Sequence, residues 1–126
     1  MEKKIIKIDE CPAAIGPYSQ AVKVGDFLFT SGVIPIDAAT GKISSENIEE
    51  QTHAVFKNLT NLLTRAGTSL SNVIKTTVYI KNMNDFSMIN KIYAEYFSSE
   101  YPARSCVEVA RLPKDVLIEI ECIAKF

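Results

Sequence analysis

β-Branched and apolar residues gather in six short runs, and in two longer segments they recur at intervals of three and four. The short runs read as strands and the longer ones as amphipathic helices. Lys4 to Ile8 is the first run. Ser19 to Val24 and Asp26 to Ser31 follow as a strand pair turned at Gly25-Asp26. In the second of these Phe27, Phe29 and Ser31 share one face, and Leu28 and Thr30 share the other. Pro35 to Lys42 is a loop with a turn at Thr40-Gly41. Asn47 to Ala66 carries a helical stripe of Ile48, Thr52, Val55, Leu59, Leu62 and Ala66, widened by Phe56 and Leu63. Asn47 is placed to cap this helix, with Glu50 three residues on as in a capping box, and Gly67 to stop it.

Val73 to Lys81 is a strong strand. Asn84 or Asp85 starts a second helix that runs to about Phe97 and buries Phe86, Ile89, Tyr93 and Phe97. The segment from Pro102 to Glu121 reads as a hairpin. Val107 and Val109 mark one strand, Leu117, Ile118 and Ile120 the other, and Pro113-Lys114-Asp115 the turn. The order strands, helix, strand, helix, strands makes the class α+β, with two helices laid on one face of a sheet.

Composition narrows what such a fold can do. A chain of 126 residues forms one domain, residues 1–126, with a single core. With 47% hydrophobic and 23% charged residues it is globular rather than disordered. A net charge of −1 gives no field for nucleic acid or an anionic membrane. No apolar run approaches the roughly 20 residues needed to span a bilayer. Ile5 and Ile6 alone separate Lys4 from Lys7, which is no signal-peptide core. Cys11, Cys106 and Cys122 are odd in number and widely spaced, the pattern of reduced thiols in a cytoplasm.

The chemistry on offer is sparse. No glycine-rich phosphate loop, no Gly-x-Ser-x-Gly elbow and no metal-ligand spacing occurs. His53 is the single histidine and lies on the helix side away from Val55 and Leu62, so a zinc site is not expected and no cofactor is implied. The last two strands instead hold charge among apolar residues: Arg104 and Glu108 in one, Glu119 and Glu121 in the other. Arg104 offers a donor fork that matches a carboxylate. Glu119 can position or deprotonate a water if its surroundings raise it from the usual value of about 4.3. A plainer alternative, favoured on residue chemistry alone, is an ion pair across the hairpin between Arg104 and one glutamate. Five further residues, at four places in the chain, have two readings each. Tyr18, after Pro17, is a packing residue on a surface turn or a phenol presented by a rigid loop. Ser31-Gly32 is a strand stop or a hydroxyl beside a bare backbone N–H. Asn90, next to Phe86 on the helix, bonds backbone or faces a pocket. Cys106 is a buried thiol or, less readily, a nucleophile sharing a strand face with Arg104.

Gly16-Pro17-Tyr18-Ser19-Gln20-Ala21, Thr30-Ser31-Gly32 with Ile34-Pro35, Asp85-Phe86 with Ile89-Asn90 and Tyr93, the run from Pro102 to Asp115, and Ile118-Glu119-Ile120-Glu121 together resemble the Rid family, the reactive intermediate deaminases formerly called YjgF. The resemblance covers essentially the whole chain, and its Arg-Ser-Cys-Val-Glu-Val-Ala-Arg-Leu-Pro-Lys-Asp run points to the RidA subgroup. Val33 departs from the family, whose members commonly have Gln after Ser-Gly, and bears on the pocket wall or the subunit contact. The resemblance implies a chorismate-mutase-like fold, a homotrimer with clefts between subunits, and hydrolysis of 2-imino and 2-enamino acids such as 2-aminoacrylate and 2-aminocrotonate to 2-oxo acids and ammonia. It implies Arg104, Glu119 and Tyr18 as catalytic and Ser31, Gly32, Cys106 and Asn90 as substrate-binding, with no metal. It also brings two other functions into play: a chaperone-like or metabolite-sensing partner without turnover, and a ribonuclease or translation inhibitor, the latter weakened by the absence of a basic cluster.

Overall fold

The computed structural model describes residues 1–126. Six strands form one sheet: β1 (Lys3–Ile6), β2 (Ala21–Val24), β3 (Phe27–Thr30), β4 (Val73–Ile80), β5 (Ala103–Glu108) and β6 (Ile118–Lys125), in the order β1-β2-β3-β6-β4-β5. Helices α1 (Ile48–Ala66) and α2 (Phe86–Tyr96) pack on one face. The sheet is mixed, because β4 and β5 run parallel while every other pair is antiparallel. β2 and β3 pair across the Gly25 turn, as their alternation predicts.

The expected hairpin from Pro102 to Glu121 is not there. β5 and β6 do not pair with each other; β4 lies between them. β4, α2 and β5 form a crossover unit, the connection that a parallel pair requires. Residues 109–117 carry the chain past the end of β4, held by Val109 N–H to Ile80 O at 2.8 Å and Lys81 N–H to Leu117 O at 3.0 Å. Pro113–Asp115 is a single 3₁₀ turn within that passage, and Lys114 and Asp115 both adopt left-handed φ of 57° and 56°. The signal for a break at Pro113 is real; its use is a crossing, not a hairpin.

Helix α1 is capped at both ends. Asn47 Oδ1 accepts from the N–H groups of Glu49 and Glu50, and Gly67, at φ 97°, closes the C-terminus. The reciprocal half of the expected capping box is replaced: Asn47 N–H donates to Ser45 Oγ rather than to Glu50. Helix α2 begins at Phe86, one or two residues after the start its sequence suggests, following a 3₁₀ turn at Met83–Asp85 started by the Asn82 side chain. Val55, Phe56, Leu59 and Leu63 of α1 and Ile89 and Ile92 of α2 bury against Leu28, Val78, Ile80, Ile118, Ile120 and Ala124 of the sheet. Each of these side chains larger than alanine contributes roughly 1.5–3 kcal/mol. The other sheet face has no helix over it. Ile5, Phe27, Phe29 and Val107 stand there more than two-fifths exposed. The three cysteines are unpaired, and no helix is long and apolar enough to cross a membrane.

Candidate active site

The two charged residues singled out by the sequence lie on opposite faces of the sheet. Arg104 pairs with Thr76 of β4, and Thr76 with Cys122 of β6, so all three face the helices. Glu119 pairs with Tyr79, whose other neighbour is Val107, and these face the open side. The expected ion pair between Arg104 and a glutamate across the hairpin therefore does not form, and one chain cannot bring the Arg104 and Glu119 side chains onto one small molecule.

Arg104 is held in place before any ligand arrives. Its Nη1 donates to Asn90 Oδ1 at 2.8 Å. Its guanidinium lies over Tyr93 at 4.8 Å and over Phe86 at 5.5 Å. Tyr93 is itself fixed, through a 2.7 Å hydrogen bond between its hydroxyl and Thr76 Oγ1 and through packing on Phe56 and Phe97. Asn90, Tyr93, Ala94, Tyr101, Pro102 and Arg104 line a recess of about 350 Å³, room for a molecule of amino-acid size. Asn90 thus faces the pocket but spends its carbonyl on Arg104. Cys106 lies one step further along the same strand face, half-buried. Burial pushes its thiol up, and the Arg104 charge only partly offsets this, so a thiolate nucleophile is disfavoured.

The second cluster sits where β3 ends beside β6. Ile15, Tyr18, Ser31, Gly32, Ile34, Pro113 and Glu119 line a recess of about 300 Å³. The Glu119 carboxylate rests directly on the Cα of Gly32, and a methyl group there would fall within the carboxylate. Burial raises the Glu119 pKa, and the Glu121 charge raises it further. Glu121 in turn accepts from the Tyr79 hydroxyl at 2.9 Å. Tyr18 is presented by the Gly16-Pro17 loop with its hydroxyl accepting from Ile15 N–H at 3.2 Å, and nearly half of its surface is exposed. Gln20 anchors that loop with three hydrogen bonds, to the N–H and C=O of Ile8 and the C=O of Pro12. Ser31 spends its hydroxyl proton on Ser19 O at 2.6 Å, which leaves it an acceptor toward the recess.

Val33 faces away from Glu119. It borders an inner cavity of about 50 Å³ with Cys11, Asn58 and Leu62, space for water but not for a substrate. This cavity and the Glu119 recess share Tyr18, Ser31, Gly32 and Ile34, so Val33 in place of the usual Gln bears on the back wall of the recess. The His53 side chain stays 42% exposed and meets the Tyr96 hydroxyl at 2.7 Å; it lines neither recess. No three His, Cys, Asp or Glu side chains converge as a metal site requires. Pro113 and Tyr101 are lining residues that sequence reasoning did not single out; both adjoin the run that carries Arg104, and their place depends on the crossing of β4.

The endoribonuclease L-PSP family model matches residues 8–126. A RutC family protein of Pyrococcus horikoshii is 57% identical over 122 residues, covering 97% of both chains. Reactive Intermediate Deaminase A of Arabidopsis thaliana is 45% identical over 124 residues, 98% of this chain and 66% of that longer protein. Among solved structures, Escherichia coli TdcF with bound serine superposes with a TM-score of 0.92 at 45% identity, covering 98% of each chain. Sequence match, mixed sheet and paired helices agree over nearly the full length, and the chain belongs to the Rid family.

Proposed function

We propose that the protein hydrolyses reactive 2-imino and 2-enamino acids to 2-oxo acids and ammonia, in clefts formed between neighbouring copies of the chain in a homotrimer. The observation that carries this reading is the placement of Arg104 and Glu119 on opposite sheet faces, each in a recess of substrate size. A second copy is the simplest way to bring one recess to the other. The uncovered face with Ile5, Phe27, Phe29 and Val107 supports association of copies there, since apolar surface of this kind is normally covered.

In such a cleft the Arg104 fork holds the substrate carboxylate. A 2-enamino acid tautomerises to the imine, whose protonated form has an electrophilic carbon. Glu119, ionised, takes a proton from a water as that water adds to the carbon. Glu119 returns that proton to the carbinolamine nitrogen; as the C–N bond breaks, ammonia leaves, the carbinol O–H proton passes to the Glu119 carboxylate, and the 2-oxo acid forms. The Tyr18 hydroxyl and the backbone at Gly32 complete the polar lining. No covalent intermediate is needed, because the carbon is already activated; positioning supplies much of the rate. The TdcF neighbour, with serine bound, is consistent with a family cleft that accepts an α-carboxylate. Unpaired cysteines and the lack of a membrane-spanning helix support a cytoplasmic protein that removes such intermediates as they are released.

The test is complementation. Arg104→Ala and Glu119→Gln each lose about 10²-fold or more of the activity toward an imine generated by an amino-acid dehydratase. Assembled together at equal amounts, they regain about a quarter of wild-type activity, because one cleft in four then has both groups intact. A dead mixture refutes the shared cleft. A folded wild-type protein that binds 2-oxo acids without accelerating hydrolysis favours a metabolite-binding partner instead. Salt-sensitive RNA cleavage is the outcome that would support the endoribonuclease name of the family model, which a net charge of −1 does not favour.

A further inference from the structure

Gln51 is the one residue of the α1 interior that the helical stripe does not explain. It is 3% exposed, although an amide is normally solvated, and both ends of its side chain are engaged. Its Nε2–H donates to Ser45 O at 2.8 Å, and its Oε1 accepts from Leu117 N–H at 2.8 Å. These bonds tie together the segment before α1, the helix itself and the start of β6. Leu117 is two residues from Glu119. It is also the last residue of the passage that carries Pro113 to the wall of the Glu119 recess.

That passage needs anchoring. Two successive non-glycine residues, Lys114 and Asp115, are left-handed, which costs of order 1 kcal/mol or more each. On the solvent side a bidentate Arg111–Asp115 contact, Nε to Oδ1 at 2.6 Å and Nη2 to Oδ2 at 3.1 Å, clasps the turn. Lys81 Nζ reaches Ala110 O, and Val116 is buried beneath. An exposed pair adds little by itself. On the inner side, the only side-chain bond to the backbone between Pro113 and Glu119 comes from Gln51.

We propose that Gln51 is a positioning residue for the Glu119 recess. By fixing Leu117 it sets the separation between Pro113 and Gly32 on either side of the carboxylate. The inference rests on the reading of Glu119 as the group that handles water, and its test separates the two. Gln51→Met keeps the side-chain length and loses both hydrogen bonds. It lowers kcat about tenfold with KM changed less than about twofold, because a shifted reacting group costs rate more than binding. It also speeds amide exchange at Leu117 and moves the Glu119 titration, read by NMR, toward the ordinary carboxylate range as water enters.

Gln51→Glu supplies the rescue. While protonated it mimics the amide, donating O–H to Ser45 O and accepting from Leu117 N–H. Its activity relative to wild type at the same pH is near one at acid pH and falls as that buried acid ionises. Glu46, Lys114 and Asp115 line the surface on its outer side, and the carboxylates among them favour the protonated form. Wild-type kcat in Gln51→Met, or an unchanged Leu117 exchange and Glu119 titration, overturns the proposal. If Gln51→Met does not fold, the pH-dependent ratio in Gln51→Glu decides alone: a ratio that follows the folded fraction overturns it. If the wild type hydrolyses no imine but both NMR readouts move as stated, positioning stands and the deaminase reading falls.

Discussion

The Arg104 and Glu119 recesses are prepared for chemistry in different ways. Arg104 is set by contacts: an amide at 2.8 Å, two aromatic rings, and a tyrosine locked by a buried threonine. Its charge is constant, and what the fold controls is its direction. Glu119 makes no comparable set of bonds. The fold controls its proton instead, through burial and the neighbouring Glu121, and sets its position by the bare Cα of Gly32 and the anchored strand. A group that must grip a fixed anion gains from geometry, whereas a group that must give and take a proton gains from a tuned environment.

Four substitutions probe this contrast. Arg104→Ala has the largest effect, lowering kcat/KM by at least about 10²-fold, since a desolvated carboxylate loses its charged partner; sedimentation should show unchanged assembly. Activity within tenfold of wild type ends the role of Arg104 as a clamp. Glu119→Gln lowers kcat by roughly 10²-fold or more with little change in KM. It also gains stability at neutral pH. The Glu119 pKa is raised in the folded chain, so its burial costs nothing while the acid is protonated. Stability is lost as pH rises from the ordinary carboxylate value through the folded one. The melting temperature of Glu119→Gln should therefore exceed that of wild type above this window and match it below. By the same shift, the acid limb of the wild-type kcat–pH profile lies above the ordinary carboxylate range.

Gly32→Ala comes next. Its methyl group displaces the Glu119 carboxylate, and kcat falls about tenfold while Arg104, supplied by the neighbouring copy, keeps its hold on the carboxylate of a 2-oxo acid. The smallest effect belongs to Asn90→Ala. Loss of one charge-assisted hydrogen bond loosens Arg104 and raises KM about three- to tenfold, with kcat less affected. A kcat loss that exceeds the KM change would move Asn90 from support of the clamp to the chemistry itself.

Much of this was legible from residues alone. The cap, stripe and stop of α1 were, because each is written in local chemistry: Asn47, the three-four repeat, Gly67. So were the β2–β3 pair and the face split between Phe29 and Leu28. The partners of β5 and β6 were not. Both strands prefer β4, and the sequence between them looks like a turn whichever way the chain goes. That error mattered for the site, because a hairpin would have put Arg104 and Glu119 within reach of one ligand in one chain. Cys106 shares a strand face with Arg104, as their spacing predicts, whereas Asn90 reaches Arg104 only through the packing of α2 on β5, which no spacing along the chain indicates. Gln51 was missed because a glutamine on a helix reads as solvated, and nothing local indicates that a strand start comes to lie above it.

The sheet has two outer strands, β1 and β5, and each leaves one row of amides unpaired. Such rows invite further strands to add, the first step toward fibrous aggregates. On β1 the residues Lys3 and Lys4 oppose this with repelled charge, and on β5 the entry is blunted by Pro102, which has no N–H to offer. The charge on β5 comes from Arg104 and Glu108. The proposed clamp is thus also part of what keeps the sheet finite, and the residue most tempting to delete in a study of catalysis is one whose loss carries a colloidal penalty at high protein concentration.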